Sequence, residues 1–351
     1  MGHQDKEVAA RLPVRGAEVF AALIVLAGSI FTGQAAFAQA NTGAFEVKEV
    51  SVYIPSSPGG GYDRYGRLLA RHLGKHLPGQ RPVVAKNMPG AGGLVLANFM
   101  YSNAARDGSV VAIMQNERVL DPLLGVPNAN YKSSEFTWLG GVNQLTNICV
   151  AWHTTSVTSA LQIRDKELVV GVSSGSSTET GARLLNELAG TKLKLVRGYP
   201  GTNEIMLAME RGEVQAMCGI GWDSYQSSRA GWISKKSANV FVRMGASVDE
   251  LRSVPDLKDI LLDARDRPVA DFLTGRLLIG RPFMSTPGLP PPITQTLRQG
   301  FWMAVQDPAL IAEAAKADMP IVPISSADVQ RYIEQLESTP KPVIDRARNL
   351  L

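Results

Sequence analysis

The chain has 351 residues, with 36 Lys and Arg against 32 Asp and Glu, a formal charge of +4 and 45% hydrophobic residues. Its basic residues are scattered among acids, without the dense basic, aromatic-interleaved stripe that nucleic-acid binding requires, although the mild positive charge suits small acidic molecules. The length exceeds one comfortable core and predicts two domains of roughly 130 to 180 residues.

Lys6, Arg11 and Arg15 form a basic start, residues 19–30 an apolar run, and Ala36-Phe37-Ala38 an A-x-A cleavage pattern. A membrane anchor would need roughly 20 apolar residues, and Gly28, Ser29, Thr32, Gly33 and Gln34 interrupt this run. Residues 1–38 therefore read as a secretory signal peptide cleaved after Ala38, with no lipid-bearing Cys behind it, leaving a protein exported across the inner membrane and not inserted in it. The leader carries Lys6, Arg11 and Arg15 against Asp5, Glu7 and Glu18, so its removal leaves the charge at +4.

Strands alternate with helices along the rest, which predicts an α/β fold. An apolar strand over 50–54 enters the turn Ser56-Ser57-Pro58-Gly59-Gly60-Gly61-Tyr62-Asp63. Asp63 is a good N-cap for a helix carrying Tyr65, Leu68, Leu69, His72 and Leu73 at helical spacing, closed by Pro78-Gly79. A strand over 82–86, a second glycine-rich turn Asn87-Met88-Pro89-Gly90-Ala91-Gly92-Gly93, a helix over 93–101 and a strand over 109–114 follow; the last delivers Gln115, Asn116 and Glu117 to a loop. Glycines leave backbone N–H groups bare at a helix start, where the helix dipole also favours negative charge, so these turns suit a carboxylate or phosphate. Gly59, Gly60 and Gly61 are the centre of that reading. A valine at Gly60 is expected to block the amides and to strain a positive φ.

After the stretch 138–152 a fresh βαβ series begins: a strand over 168–172, the loop Ser173-Ser174-Gly175-Ser176-Ser177, a helix over 180–189, a strand over 193–197, a helix over 203–211, and strands over 214–220 and 239–243. Residues 276–280 read as strand-like, and the proline-rich 281–292 as a connection that no helix or central strand would tolerate. Helices over 293–305 and 308–315, and a last one after Ser326-Ala327-Asp328, have no sheet of their own and should cover the first. The expected domains are lobe 1, formed by 39–148 and 280–351, and lobe 2, formed by 149–279. Two crossovers, near 145–150 and 276–282, leave a cleft between them.

Cys149 and Cys218 are the only cysteines. Export invites a bridge, yet each lies in an apolar strand-like run where free Cys serves as a small buried hydrophobe, and strand-to-strand geometry seldom suits a disulfide. Buried thiols are thus the favoured reading and a bridge the alternative. Enzyme motifs are incomplete. Gly171-Val172-Ser173-Ser174-Gly175 has nucleophile-elbow spacing, but no histidine follows the serine in the chain, since the four are His3, His72, His76 and His153. Gly61-Tyr62-Asp63-Arg64-Tyr65-Gly66 runs into Arg67-Leu68 where a P-loop needs Lys and Ser or Thr. His72 and His76 lack the Glu of a zinc helix and are separated by Gly74. No enzyme activity, metal or cofactor is expected.

The runs Pro55 to Asp63, Arg67-Leu68-Leu69-Ala70, Asn87 to Gly93 and Asp107-Gly108 resemble the signature of the substrate-binding proteins of tripartite tricarboxylate transporters, the Bug or TctC family. The likeness continues through Gly198-Tyr199-Pro200-Gly201 and Arg211-Gly212-Glu213-Val214 to the last helix. It implies a type II periplasmic-binding-protein fold, two-lobed with two crossovers, closing on a carboxylated ligand that is handed to membrane permease subunits. By that resemblance the ligand loops are Ser57, Pro58, Gly59, Gly60, Gly61, Tyr62 and Asp63 in one lobe and Ser174, Gly175, Ser176 and Ser177 in the other, beside Tyr199, Gly201 and Thr202. Family members commonly have a small residue where Tyr62 stands and Tyr-Lys-Gly where Tyr199-Pro200-Gly201 stands. Gln115 and Asn116, with Trp222 and Asp223 after the strand 214–220, add polar and aromatic surface near the expected cleft. Asp63 also reads as a plain helix cap, Trp222 as a core aromatic, and Glu117 beside Arg118 as a solvated pair. The expected function is a periplasmic, monomeric solute-binding protein for a small carboxylate; the alternative is a ligand-sensing module docking on a signalling receptor. Hydroxyls such as Ser176 and Thr202 are expected to bind the ligand without supporting the unliganded fold.

Overall fold

The computed structural model describes residues 45–350; the leader read over 1–38 lies outside them. The chain forms β1 (Val50–Ile54), α1 (Gly61–Leu73), β2 (Val83–Asn87), α2 (Leu94–Ser102), β3 (Val110–Ile113), a short α3 (Asp121–Leu124) and β4 (Thr137–Gly141) before crossing over. A second series holds β5 (Thr146–Trp152), β6 (Leu168–Gly171), α4 (Ser177–Ala189), β7 (Leu193–Val196), α5 (Thr202–Glu210) and β8 (Ala216–Gly221). It continues through α6 (Trp222–Ser228), α7 (Ala230–Ser234), β9 (Ala238–Gly245) and α8 (Arg267–Gly275). The chain returns through β10 (Pro282–Ser285), α9 (Pro291–Val305), α10 (Pro308–Lys316), β11 (Ile324–Ser325), α11 (Ser326–Glu337) and α12 (Lys341–Leu350). No helix among the described residues is long and apolar enough to cross a membrane.

The strands make two sheets, ordered β11-β4-β10-β3-β1-β2 and β7-β6-β8-β5-β9. In the first, β1 lies parallel to both β2 and β3, while β10 runs antiparallel to β3 and β4. In the second, β6 lies parallel to β7 and β8, and β5 runs antiparallel to β8 and β9. The fold is α/β and two-lobed. Strand order reverses at β1 in one sheet and at β6 in the other, and the crevice beyond the carboxyl end of such a strand is where open α/β sheets bind ligands. The chain therefore carries two switch points, one per sheet. One apolar cluster, from Leu96 and Met100 of α2 through Trp138 to Leu184, Cys149 and Leu273, continues from one sheet to the other.

Five readings need correction. Helix α1 begins at Gly61 with Gly60 as its N-cap, so Asp63 lies inside the first turn. Residues 276–279 form a 3-10 turn in place of a strand. The strand comes next, at β10, in the centre of the first sheet and within the segment read as intolerant of strands. Pro282 is its first residue: its carbonyl accepts the Met114 N–H at 2.8 Å, and the proline forfeits only the reciprocal bond at the strand's start. Pro291 and Pro292 open α9 in the first turn, where helical N–H groups lack partners anyway. The final helix is two, α11 and α12, divided at Pro340, and α12 packs on α8 and α4 and not over the first sheet alone.

The fifth correction is the cysteines: Cys149 of β5 and Cys218 of β8 are bridged. These antiparallel neighbours slip register between the Ile148↔Ile220 and Val150↔Met217 pairs, and the bulge brings the two Cα atoms within 4.0 Å. Gly219 makes the bulge possible, since a Cβ there would stand 1.9 Å from the Ser177 carbonyl oxygen and its φ is +74°. The bridge closes a sequence separation of 69 residues, so the double variant Cys149→Ala/Cys218→Ala should lose about 2 to 4 kcal/mol of stability. Urea unfolding of the two proteins measures it; equal midpoints would mean the bridge contributes nothing.

Candidate functional site

The carboxyl ends of β1, β3, β6 and β7 send their loops to one cleft of about 120 Å³ between the sheets. From the first sheet Ser56, Ser57, Pro58, Gly60, Gly61, Tyr62 and Gln115 line it. From the second come Ser173, Ser176, Ser177 and Thr178, then Pro200, Gly201, Thr202, Asn203 and Glu204, with Gly219 of the bulge at the floor. Three helices thus begin at its wall: α1, α4 and α5. Gly60 and Gly201 are the N-caps of α1 and α5, and among the described residues no side chain caps either end. Their first N–H groups have no partner within their helices, and each helix end carries roughly half a positive charge. Such ends hold an anion with the main chain.

Helix α4 is different, because the Ser176 hydroxyl caps it. It accepts the Thr178 N–H at 3.2 Å and donates to the Ser173 carbonyl at 2.8 Å. The Ser173 N–H in turn donates to Thr178 Oγ1 at 2.8 Å. The expectation that Ser176 supports only the ligand is therefore corrected: Ser176→Ala should cost about 1 kcal/mol of stability. A thermal melt of the unliganded variant is the measurement, and an unchanged midpoint would return the hydroxyl to the ligand alone. Ser173, whose segment has elbow spacing, belongs to this cap.

The remaining expected residues lie behind or beside the cleft. Asp63 accepts the Gly59 N–H at 2.9 Å, Arg67 Nε at 2.9 Å and Asn87 Nδ2 at 2.8 Å. Burial pushes its carboxyl up, but these donors outweigh burial and hold it below the usual carboxylate range. Asp63 and Gly59 fix the turn from inside. Asn116 donates through its side chain to the Gly280 carbonyl at 2.9 Å and through its N–H to the Tyr62 hydroxyl at 3.1 Å. Ser174 is exposed, and Gly175 receives Arg118 on its carbonyl at 2.9 Å. Tyr199 is half-buried against an apolar cluster around Ile205 and Met217, and Trp222, also half-buried, stacks on Tyr225 with ring centroids 5.7 Å apart; neither lines this cleft. Asp223 is buried against Arg281 at 2.7 Å and accepts the Tyr65 hydroxyl at 3.0 Å.

Glu117 and Arg118 are not a solvated pair. Both are buried. Glu117 accepts the Ser177 hydroxyl at 2.6 Å and Arg276 at 3.3 Å, across the cleft from its own strand. Burial pushes its carboxyl up, and Arg276 and the hydroxyl more than reverse the effect. The two lobes also meet at the second glycine-rich turn, where a Cβ on Gly92 would stand 2.3 Å from the Gly175 carbonyl. His72 and His76, the weighed zinc pair, each bond an acid, Glu313 at 2.7 Å and Asp307 at 2.8 Å. Thr178, Asn203, Glu204 and Gly219 line the cleft without having been singled out. Asn203 and Glu204 carried a signal, since they follow Thr202 in the first turn of a helix with a glycine N-cap.

No protein-family model matches the chain, and no curated protein matches it. Solved structures do. The TctC solute-binding protein from Polaromonas is 19% identical with a TM-score of 0.59, over 85% of this chain and 98% of its own. The fold is that of the TctC solute-binding proteins. MatC from Rhodopseudomonas palustris, solved with bound malate, aligns with a TM-score of 0.64 at 19% identity over 86% of this chain and 100% of its own. A further R. palustris protein, solved with adipate, aligns with a TM-score of 0.65 at 18% identity over 85% and 97%. All three align with the two-lobed fold over most of their length.

Proposed function

We propose that the protein is a periplasmic solute-binding protein that captures a small carboxylated compound in the cleft and delivers it to the permease subunits of a tripartite tricarboxylate-type transporter. The observation that carries this reading is the meeting of three helix N-termini, drawn from both sheets, at one cleft. Such a meeting favours an anion over a neutral or cationic solute. The malate and adipate in the two R. palustris structures are carboxylates, which supports the same class. In this reading the leader is removed after Ala38 and the mature protein acts as a monomer without chemistry of its own. Lobe 1 (39–148 with 280–351) and lobe 2 (149–279) close about the two crossovers, in the manner of hinged binding proteins. The ligand meets Ser57 to Tyr62 on one side and Ser176, Ser177, Gly201 and Thr202 on the other. A thermal-shift screen of the purified mature protein against a carboxylate library tests it. A ligand at a hundredfold its Kd adds about 2.7 kcal/mol to stability; a flat response across the library would sink the reading.

A further inference from the structure

The cleft is narrow and almost without charged side chains. Its volume is about 120 Å³, against about 520 Å³ for the neighbouring cavity that Gly175 lines. Among the described residues no Lys or Arg lines it, and Glu204 is the carboxylate on its wall. The arginine nearest to Tyr62, Arg281, is committed to Asp223 at 2.7 Å. Positive potential therefore enters only through the helix ends, roughly half a charge each. Converging on one place, they can neutralise one carboxylate. A second carboxylate would meet Glu204 and no cation.

Tyr62 supplies the size limit. It stands in the first turn of α1, with its ring 5.6 Å from the Arg281 guanidinium and its hydroxyl held by the Asn116 N–H at 3.1 Å. Both tethers come from buried residues, so the ring is a fixed wall and not a movable lid. We propose that the cleft takes a compact monocarboxylate and that Tyr62 sets that limit by filling the room a second carboxylate would need. This rests on the carboxylate-binding reading and narrows it, because malate and adipate are both dicarboxylates.

Calorimetric titration with propionate, lactate, malate and adipate tests the proposal on the wild type, Tyr62→Ala and, should that variant fold poorly, Tyr62→Leu. The wild type should bind propionate or lactate at least tenfold more tightly than malate or adipate. Opening the wall should raise the affinity for malate relative to lactate by at least tenfold. A purely structural role for Tyr62 would weaken all four together and leave their ratio unchanged, which overturns the proposal. Wild-type preference for malate or adipate overturns it too, while leaving the carboxylate reading intact. If none of the four binds the folded wild type, the proposal fails, and a carboxylate library without a hit then removes the broader reading as well.

Discussion

Arg281→Met should destabilise the protein by about 3 to 5 kcal/mol, because it strands a buried carboxylate. Arg281 and Asp223 are 3% and 7% exposed and sit on opposite sides of the second crossover, joined at 2.7 and 3.3 Å. The guanidinium also lies 4.4 Å from the centroid of Tyr65, whose hydroxyl donates to the same carboxylate. Burial alone would push the Asp223 carboxyl up; Arg281 overcomes this and holds it below the ordinary value. The sign of the pH dependence follows. In the wild type the pair's contribution is present above the unfolded value, about pH 4, and is lost as pH falls through the depressed folded value. In Arg281→Met the remaining carboxyl is raised, so that variant should gain stability relative to the wild type as pH falls from 7 toward 5. Urea midpoints at both pH values measure this. The double variant Arg281→Met/Asp223→Leu should recover most of the loss, since replacing both partners by apolar groups removes the stranded charge. A single variant within about 1 kcal/mol of wild type would show that the pair braces nothing.

That ion pair also shows where sequence reading stops. The units β1 to β3, with both glycine turns, are legible because each is written locally: apolar runs of strand length, a helical stripe, and turns marked by glycine and proline. The same holds for β6 to β8. What is not legible depends on pairs far apart in the chain. Asp223 and Arg281 are separated by 58 residues and Glu117 and Arg276 by 159, so each reads locally as an exposed charge and only the closed fold buries it against its partner. The disulfide is of the same kind. Two apolar strands with one cysteine each say nothing of the bulge at Gly219 that sets the cysteines side by side. Strand β10 was hidden by composition, since Pro282 disguises a central strand unless one knows that it occupies the first position. The cleft itself is partly legible. Ser57, Pro58, Gly60, Gly61 and Tyr62, with Ser176, Ser177, Gly201 and Thr202, line it because glycine and hydroxyl residues mark helix starts, whereas Trp222 and Asp223, noticed for residue type, do not line it.

Gly60→Val should abolish ligand binding, with a loss of more than a hundredfold in affinity, and leave the fold standing. Gly60 has φ −76° and ψ 170°, an extended conformation open to any residue, so the expected positive-φ strain does not arise. A Cβ built there meets nothing within 4 Å, which means the valine methyls project into free space at the wall of the cleft and not into the core. Gly60 is the N-cap of α1, where valine is poorer than glycine, so the cost to stability should stay at about 1 kcal/mol. The binding loss comes instead from geometry: the amides that follow Gly60 at the start of α1 can hold an anion only at close approach, and a branched side chain beside them keeps it away. Gly61→Val is the informative contrast. A Cβ at that position would stand 2.5 Å from Ser224 Oγ and 2.9 Å from Arg281 Nη2, so it presses on the buried brace and should lower stability as well as affinity. Titration of both variants with the ligand found by the carboxylate screen, alongside urea unfolding, separates the two effects. Wild-type affinity in Gly60→Val would place the anion away from the α1 N-terminus and remove one side of the proposed grip.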